Sequence, residues 1–256
     1  MNNFDITVIC TFHDEDYLVG ATLGSLVDAV DKAKAHGRSV EIIFSMDRPS
    51  KVTKRLVEHH AQALDCSVCE FDLGDQGIVR NSCVEKSSGK YIAFLDGDDL
   101  FGHDWLWRGY QLLESDGGVV HPEINMFFEG RGSIFVHKSS TDSYFDVDYF
   151  RAGNYWDAMC MSSKDILESF PYRKRDMDLG FAYEDWDWNM RTLANGIEHH
   201  VAKDTVHFKR ARKTSQSKRS RDRGVVHHTN ELSFYDCHLY REDSQSTQTQ
   251  ESLTPD

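Results

Sequence analysis

No window of the chain reaches 18 uninterrupted apolar residues, so no membrane-spanning helix is expected. The first residues carry no basic cluster, and the apolar run Ile6–Cys10 is far too short for the core of an export signal. The expected setting is therefore the cytosol, with peripheral contact at the inner membrane face left open. No G-x-G-x-x-G follows the first apolar run, which argues against a dinucleotide oxidoreductase. Basic residues are scarce relative to acidic ones, 29 against 42, for a formal net charge of −13. A field of that sign repels polyanions and disfavours general nucleic-acid or anionic-membrane binding. The six cysteines include one tight pair, Cys66 and Cys69, with no second Cys or His pair at zinc spacing, so packing is the expected role.

What is present suits an ordinary globular protein: 256 residues, 39% hydrophobic and 28% charged, enough for one large α/β domain. The first half alternates short apolar runs with helix-period segments, the pattern of a layered α/β fold with a mainly parallel sheet. Strands are expected at 5–11, 40–45, 66–71 and 91–95. Helices are expected at 17–36, at 51–64 with Ser50 as N-cap, at 76–88 ended by Gly89, and at 103–115. Further on the reading is looser: short strands at 118–121, 133–137 and 158–162, a helix at 185–195, then strands at 197–202 and 205–208. The polar stretch from Arg241 to the end is expected to be disordered.

Asp96, Gly97, Asp98 and Asp99 directly follow the strand YIAFL. In open α/β sheets the ligand crevice lies beyond the carboxyl ends of the strands, so a site is expected there. Three carboxylates within four residues repel one another unless a cation sits among them, and hard oxygen ligands suit Mg²⁺ or Mn²⁺. A solvated acidic turn with Asp99 capping the next helix would carry the same residues.

The stretch GKYIAFLDGDD resembles the strand and D-x-D motif of family 2 glycosyltransferases. The same family shows an upstream Arg-Asn pair, here Arg80-Asn81, and a Gly-Phe segment leading to Glu-Asp on a helix, here Gly180-Phe181 to Glu184-Asp185. ITVICTFHDEDYL and VEIIFSMD are similar to its first two strands, and the four motifs occur in order over about residues 5–215. The resemblance implies a GT-A fold, α/β with a Rossmann-like N-terminal half. It implies a hexosyltransferase-type enzyme that moves a sugar from a nucleoside-diphosphate donor to a hydroxyl, with inversion at the anomeric carbon. One GT-A domain over 1–240 is expected, with about 1–115 for the donor, 116–240 for the acceptor and 241–256 as a tail.

By the same resemblance Asp96 contacts donor ribose or phosphate, and Asp98 is the main metal ligand with Asp99 nearby. His207 is a metal ligand or phosphate donor, and Mn²⁺ or Mg²⁺ is the implied cofactor. Asp47 contacts the nucleotide, but Arg48-Pro49 stand where many relatives have a second acid, leaving the base open with uracil as default. Thr11 and Glu15 border the same pocket. Arg80, with Asn81 beside it, pairs with the diphosphate, unless it is a helix-surface residue. Asp185, with Glu184 second, is the base for the acceptor hydroxyl; acids that only complement the helix dipole would look alike. Trp186, Met190, Leu193 and Ile197 share a helical face that anchors the helix, and Asp187 and Arg191 are spaced for a surface ion pair. Trp156 is the aromatic placed near the acceptor, which is a glycan, a lipid-linked sugar or another hydroxyl.

From Lys203 to Arg223 nine basic residues face two acidic ones, a run that either closes on the diphosphate through Lys209–Lys213 or meets an anionic acceptor; a solvated charge run is the plain alternative. Two rival functions compete. A nucleotidyltransferase needs a basic glycine-rich loop after the first strand, where this chain has His13-Asp14-Glu15-Asp16. A non-catalytic nucleotide-sugar binder need not keep Asp96, Asp98, Glu184 and Asp185 together.

Overall fold

The computed structural model describes residues 3–130, 132–212 and 216–233. The expected tail at 241–256, Cys237 and Lys213 lie outside the described residues.

The N-terminal half alternates strand and helix: β1 Phe4–Phe12, α1 Val19–Ala35, β2 Val40–Asp47, α2 Lys51–Leu64, β3 Ser67–Phe71, α3 Gln76–Lys86 and β4 Gly89–Asp96. Strands β3-β2-β1-β4 run parallel in that spatial order. Their near-continuous apolar runs follow from burial on both faces: Val8 and Cys10 pack toward α1 and α2, while Ile9 and Phe94 pack toward α3. Ser50 caps α2 as expected, its hydroxyl accepting from Thr53 N at 3.0 Å. Gly89 does not end α3 but opens β4. A Cβ there would lie 2.5 Å from Thr7 N, so close strand approach, not a helix stop, requires the glycine.

The second half comprises β5 Leu100–Phe101, α4 Trp105–Ser115, β6 Val119–Phe128, β7 Ser133–Val136, α5 Val147–Ala152, β8 Met161–Ser163, α6 Lys164–Ser169, α7 Glu184–Ala194, β9 His199–Arg210 and α8 Gln216–Arg223. Its strands continue the same sheet beyond β4 in the order β8-β6-β9-β5, with β7 paired to β6. The sheet is thus mixed at this end: β4–β8, β8–β6 and β9–β5 are antiparallel, and β6–β9 is parallel.

Two boundaries differ from the sequence reading for one reason. The run 118–121 extends to Phe128, and 197–202 joins 205–208 in one strand, because Pro122 stays in register opposite Ala202 and a register irregularity between Pro122 and Ile124 absorbs the extra residues around Asp204, which is left-handed at φ 59°. Proline and a positive-φ aspartate read locally as breaks, yet the long β6–β9 pairing carries the strands through them.

Helix α7 is anchored by Trp186, Met190 and Leu193 against Phe150 and Trp156, while Ile197, beyond the helix end, packs instead in the cluster around Trp188. Asp187 and Arg191 do form an i, i+4 pair, at 2.9 Å, but Asp187 is 0% exposed. The pair is buried, not on the surface. Arg173 and Asn230 also reach Asp187, at 3.4 and 3.2 Å, supplying the partners that a desolvated carboxylate needs. No helix among the described residues is long and apolar enough to cross a membrane.

Candidate active site

The crevice opens where β1 and β4 end. Gly97 sits under Thr11 and Phe12: its N–H donates to Thr11 O at 2.9 Å, and a Cβ would lie 2.8 Å from that oxygen and 2.6 Å from the Phe12 ring. The turn after β4 can therefore hug β1 only with glycine at this position, which aims the three flanking carboxylates into the crevice.

Asp96 is the most heavily partnered of them. Arg80 Nη2 meets its Oδ1 at 2.5 Å, Gln76 Nε2 donates to the same oxygen at 2.7 Å, Thr11 Oγ1 lies at 3.3 Å, and Lys209 Nζ stands 3.6 Å from Oδ2. Burial pushes its pKa up, but Arg80 and Lys209 outweigh it and hold Asp96 below the usual carboxylate range. Arg80 is 1% exposed, lying over the Phe94 and Tyr172 rings. It is neither a helix-surface residue nor turned to solvent where a diphosphate would meet it; it is the buried counter-ion of Asp96. Asn81 is occupied as well, bonding both Tyr172 O at 2.8 Å and Tyr172 N at 2.9 Å. Its amide ties the 172 segment to α3 through both of its ends.

Asp99 accepts from Arg210 N at 2.7 Å and from Lys209 Nζ at 2.6 Å, so both oxygens are engaged. Burial pushes its pKa up to about 7 against that pairing, with Asp96 and Asp98 adding to the rise. We read the 2.6 Å contact as an ion pair, because the same acids hold Lys209 firmly protonated. Asp98 is different. Among the described residues its carboxylate has one partner, Arg212 Nη1 at 3.2 Å, and burial followed by Asp96 raises its pKa. Arg212 also reaches Asp14 at 3.4 Å and Glu15 at 3.7 Å. Glu15 is pushed up to about 7 by burial, although His13 N donates to it at 2.5 Å.

His207 departs from the ligand role. Its ring is fully buried against Phe101 and Trp105, with centroids at 5.1 and 4.5 Å, and both nitrogens lack a partner among the described residues. Burial lowers its pKa to about 3, so the imidazole is neutral. No three His, Cys, Asp or Glu side chains among the described residues are grouped to hold a metal ion. A protein cage of Asp98, Asp99 and His207 does not fit. Asp98, which among the described residues contacts one cation, is the carboxylate that would hold a divalent ion, in keeping with the habit of Mg²⁺ to take one or two protein carboxylates.

Asp47 uses both oxygens on the loop before α3, accepting from Leu73 N and Gly74 N at 2.7 Å each. These two bonds fix its carboxylate on that loop. Trp156 is 3% exposed, stacked on His199, His121 and Phe145, with Nε1 donating to Lys138 O at 2.7 Å. It belongs to the core of the second half and has no face left for an acceptor sugar.

Glu184 and Asp185 open α7 after Tyr183, which is left-handed at φ 58°. That turn swings the helix start toward the crevice at a modest local cost. Glu184 is buried beside Gly77, with Arg175 Nε 3.9 Å from its carboxylate. Asp185 is half-buried. Burial, then Glu184 and Asp157, push its pKa up to about 7, against Trp186 N–H and Arg80. Helix α3 joins the two acidic groups: its Gln76 and Arg80 bond Asp96, and Glu184 Cγ stands 3.2 Å from where a Cβ on its Gly77 would lie.

Two participants were missed by sequence reasoning. Gln76 bridges Thr11 and Asp96. Asp157, next to Trp156, meets Lys209 at 3.5 Å and Asn125 at 2.8 Å. Burial raises its pKa, but Lys209, His137 and His207 hold it well below the carboxylate range. Its only sequence signal is an acid placed just before the apolar run AMCM, which is too common to single out.

The sequence profile described as Glycosyl transferase family 2 matches residues 7–170, more than half of the chain, ending before Glu184. A protein of Rickettsia bellii (strain RML369-C) called an uncharacterized glycosyltransferase is 49% identical over 41 residues, 16% of this chain and 6% of that one. Among solved structures, S. aureus TarS 1–349 in complex with UDP-GlcNAc is similar with a TM-score of 0.65 at 16% identity, over 84% of this chain and 60% of that chain. The mannosyltransferase PcManGT from Pyrobaculum calidifontis, in complex with GDP-Man and Mn²⁺, gives 0.60 at 14% identity, over 83% and 58%. The chain thus spans about three fifths of those two structures and far less of the Rickettsia protein. The architecture described above is that of the GT-A fold.

Proposed function

The chain belongs to glycosyl transferase family 2, and from that premise we propose that it transfers a sugar from a nucleoside-diphosphate donor to a hydroxyl acceptor, with inversion at the sugar carbon. The observation that carries the proposal is the shared crevice: α3 holds Asp96 through Gln76 and Arg80, and Glu184 packs against Gly77 of the same helix. Donor handling and proton removal need to happen within reach of one another, and here one helix joins them.

On the donor side, Asp96 is fixed by Arg80 and Gln76 to accept from the donor, and Thr11 and Glu15 border that pocket. Asp98 would hold Mn²⁺ or Mg²⁺, which when bound stabilises negative charge on the leaving phosphate as a Lewis acid. Lys209 and Arg212 are the chain's own cations there; the first lies among Asp96, Asp99 and Asp157, the second on Asp98. On the acceptor side, Asp185 takes the hydroxyl proton as the new bond forms, and a carboxyl pushed up to about 7 is a stronger base than an ordinary aspartate. Glu184, more deeply buried and near Arg175, shapes the field around it. The donor half is residues 1–115 and the acceptor half begins at 116. UDP is the first nucleotide to try and GDP the second, since similar structures hold UDP-GlcNAc and GDP-Man.

Thermal unfolding with UDP and GDP, with and without Mn²⁺, tests this reading. One nucleotide at 100 times its dissociation constant should stabilise the protein by about 2.7 kcal/mol. Mn²⁺ should add to that in the wild type and add nothing in Asp98→Asn. Absence of any shift in the wild type with either nucleotide would reject the donor assignment.

A further inference from the structure

The structure splits the basic run 203–223 in two. Beyond residue 215 it forms α8, which lies against Met177 and Asp178: Ser220 Oγ contacts Met177 Sδ at 3.8 Å, and Arg223 pairs with Asp178 at 3.7 Å. Before residue 213 it reaches the acidic crevice through Lys209 and Arg212.

Three carboxylates converge on the Lys209 ammonium, each through its Oδ2: Asp99 at 2.6 Å, Asp157 at 3.5 Å and Asp96 at 3.6 Å. The other oxygen of each is fixed by a donor of its own. Asp96 Oδ1 is held by Arg80 and Gln76, Asp99 Oδ1 by Arg210 N at 2.7 Å, and Asp157 Oδ1 by Met159 N at 2.9 Å. The acids come from the end of β4 and from the segment before β8, so Lys209, on β9, bridges parts of the chain that share no local sequence. Its side chain is 16% exposed, and Met159 Sδ lies 3.3 Å from the same nitrogen.

Converging carboxylate oxygens are what a hard divalent cation takes as ligands. Here a protein cation already stands among them, at N–H···O spacing. Taking it away would leave three like charges facing one another in a place largely cut off from water, so it is not readily displaced. Asp98 stands apart from this cluster, and among the described residues its ion pair is with Arg212, at 3.2 Å. A single carboxylate is a poor site for Mg²⁺ or Mn²⁺ until further oxygens arrive, and a diphosphate brings them.

Resting on the glycosyltransferase reading, we propose that Lys209 is a positioning residue that bars a free divalent cation from the crevice, so that the ion enters together with the nucleoside diphosphate. By holding Asp96, Asp99 and Asp157 in one ion-pair cluster, it leaves Asp98 as the carboxylate for the ion. The consequence is an order of loading in which the cation does not bind first.

Electron paramagnetic resonance of the full chain titrated with Mn²⁺ tests this, because bound Mn²⁺ loses the sharp signal of the free ion. Wild type without nucleotide is expected to bind Mn²⁺ at least about tenfold more weakly than wild type saturated with UDP or GDP. Without nucleotide, Lys209→Gln should bind Mn²⁺ at least about tenfold more tightly than wild type, and Lys209→Arg, which keeps the charge, should gain nothing. Adding Asp157→Asn to Lys209→Gln removes one of the converging acids and should take that gain back. A lysine of purely structural importance would lower stability when replaced and leave Mn²⁺ affinity where it was; that result overturns the proposal. Equal Mn²⁺ affinity of the wild type with and without nucleotide overturns it too, and this comparison needs no variant to fold. Failure of both UDP and GDP to bind the wild type rejects the glycosyltransferase reading instead, and the nucleotide-free titrations of wild type and Lys209→Gln still decide the role of Lys209.

Discussion

At the end of β4 the acids are matched by cations: Arg80 on Asp96, Lys209 on Asp99 and Arg212 on Asp98, each within 3.2 Å. At the start of α7, Arg175 stands 3.9 Å from Glu184 and Trp186 N donates to Asp185 at 2.9 Å. Of the β4 acids only Asp96 is held below the usual carboxylate range; burial raises Asp98 and pushes Asp99 up to about 7 in spite of their cations, which organise the triplet. Burial and Glu184 likewise push Asp185 up to about 7, which suits a proton acceptor. One crevice thus carries two regimes of contact, cations directly on the β4 acids and a backbone N–H on Asp185.

Arg80→Met breaks the contrast most severely. It strands Asp96 in the interior without its counter-ion, and a stability loss of about 3–5 kcal/mol is expected from urea unfolding. Asp185→Asn should remove the other regime while sparing the first. Transfer is expected to fall about a thousandfold, with nucleotide affinity in calorimetry unchanged. Retention of wild-type transfer would take the base role away from Asp185.

A pH profile sharpens the comparison at about tenfold. Burial, Glu184 and Asp157 raise Asp185 to about 7, and the base works only when ionised. Transfer should therefore climb about tenfold per pH unit below 7 and level off above it. In Asp157→Asn one negative neighbour is gone, so the inflection should move to lower pH. A rate that falls with rising pH across this window would contradict the assignment. The smallest effect is expected at Trp156→Phe, which keeps the stacking and loses the bond to Lys138 O, for about 1 kcal/mol of stability. A raised acceptor KM at unchanged stability would instead restore Trp156 to the acceptor site.

The N-terminal half was readable because β1, β2 and β4 are buried on both faces and its helices on one. The two periods alternate without interruption from Ile6 to Leu95, and caps such as Ser50 mark the joints. The second half resisted. Pro122 and Asp204 looked like breaks, and only the pairing of β6 with β9 on both sides of them makes them part of one irregularity within longer strands. Asp187 and Arg191 had the spacing of a surface pair, yet the helix turns that face inward, where Arg173 and Asn230 complete it. Spacing along a helix states which residues are neighbours, not which side meets the core.

The acidic triplet, its place after a buried strand, the Arg80-Asn81 and Glu184-Asp185 pairs and the basic run were all visible in the one-dimensional order of residues, because apolar periodicity and local turn chemistry are encoded by neighbours in the chain. Which cation serves which acid was decided only by tertiary structure. Arg80 faces inward to Asp96, Asn81 turns to Tyr172, Lys209 meets Asp157 from 52 positions away, and the basic run divides between two surfaces. Electrostatic partnership depends on distance and burial in space, and neither can be read from composition or spacing along the chain.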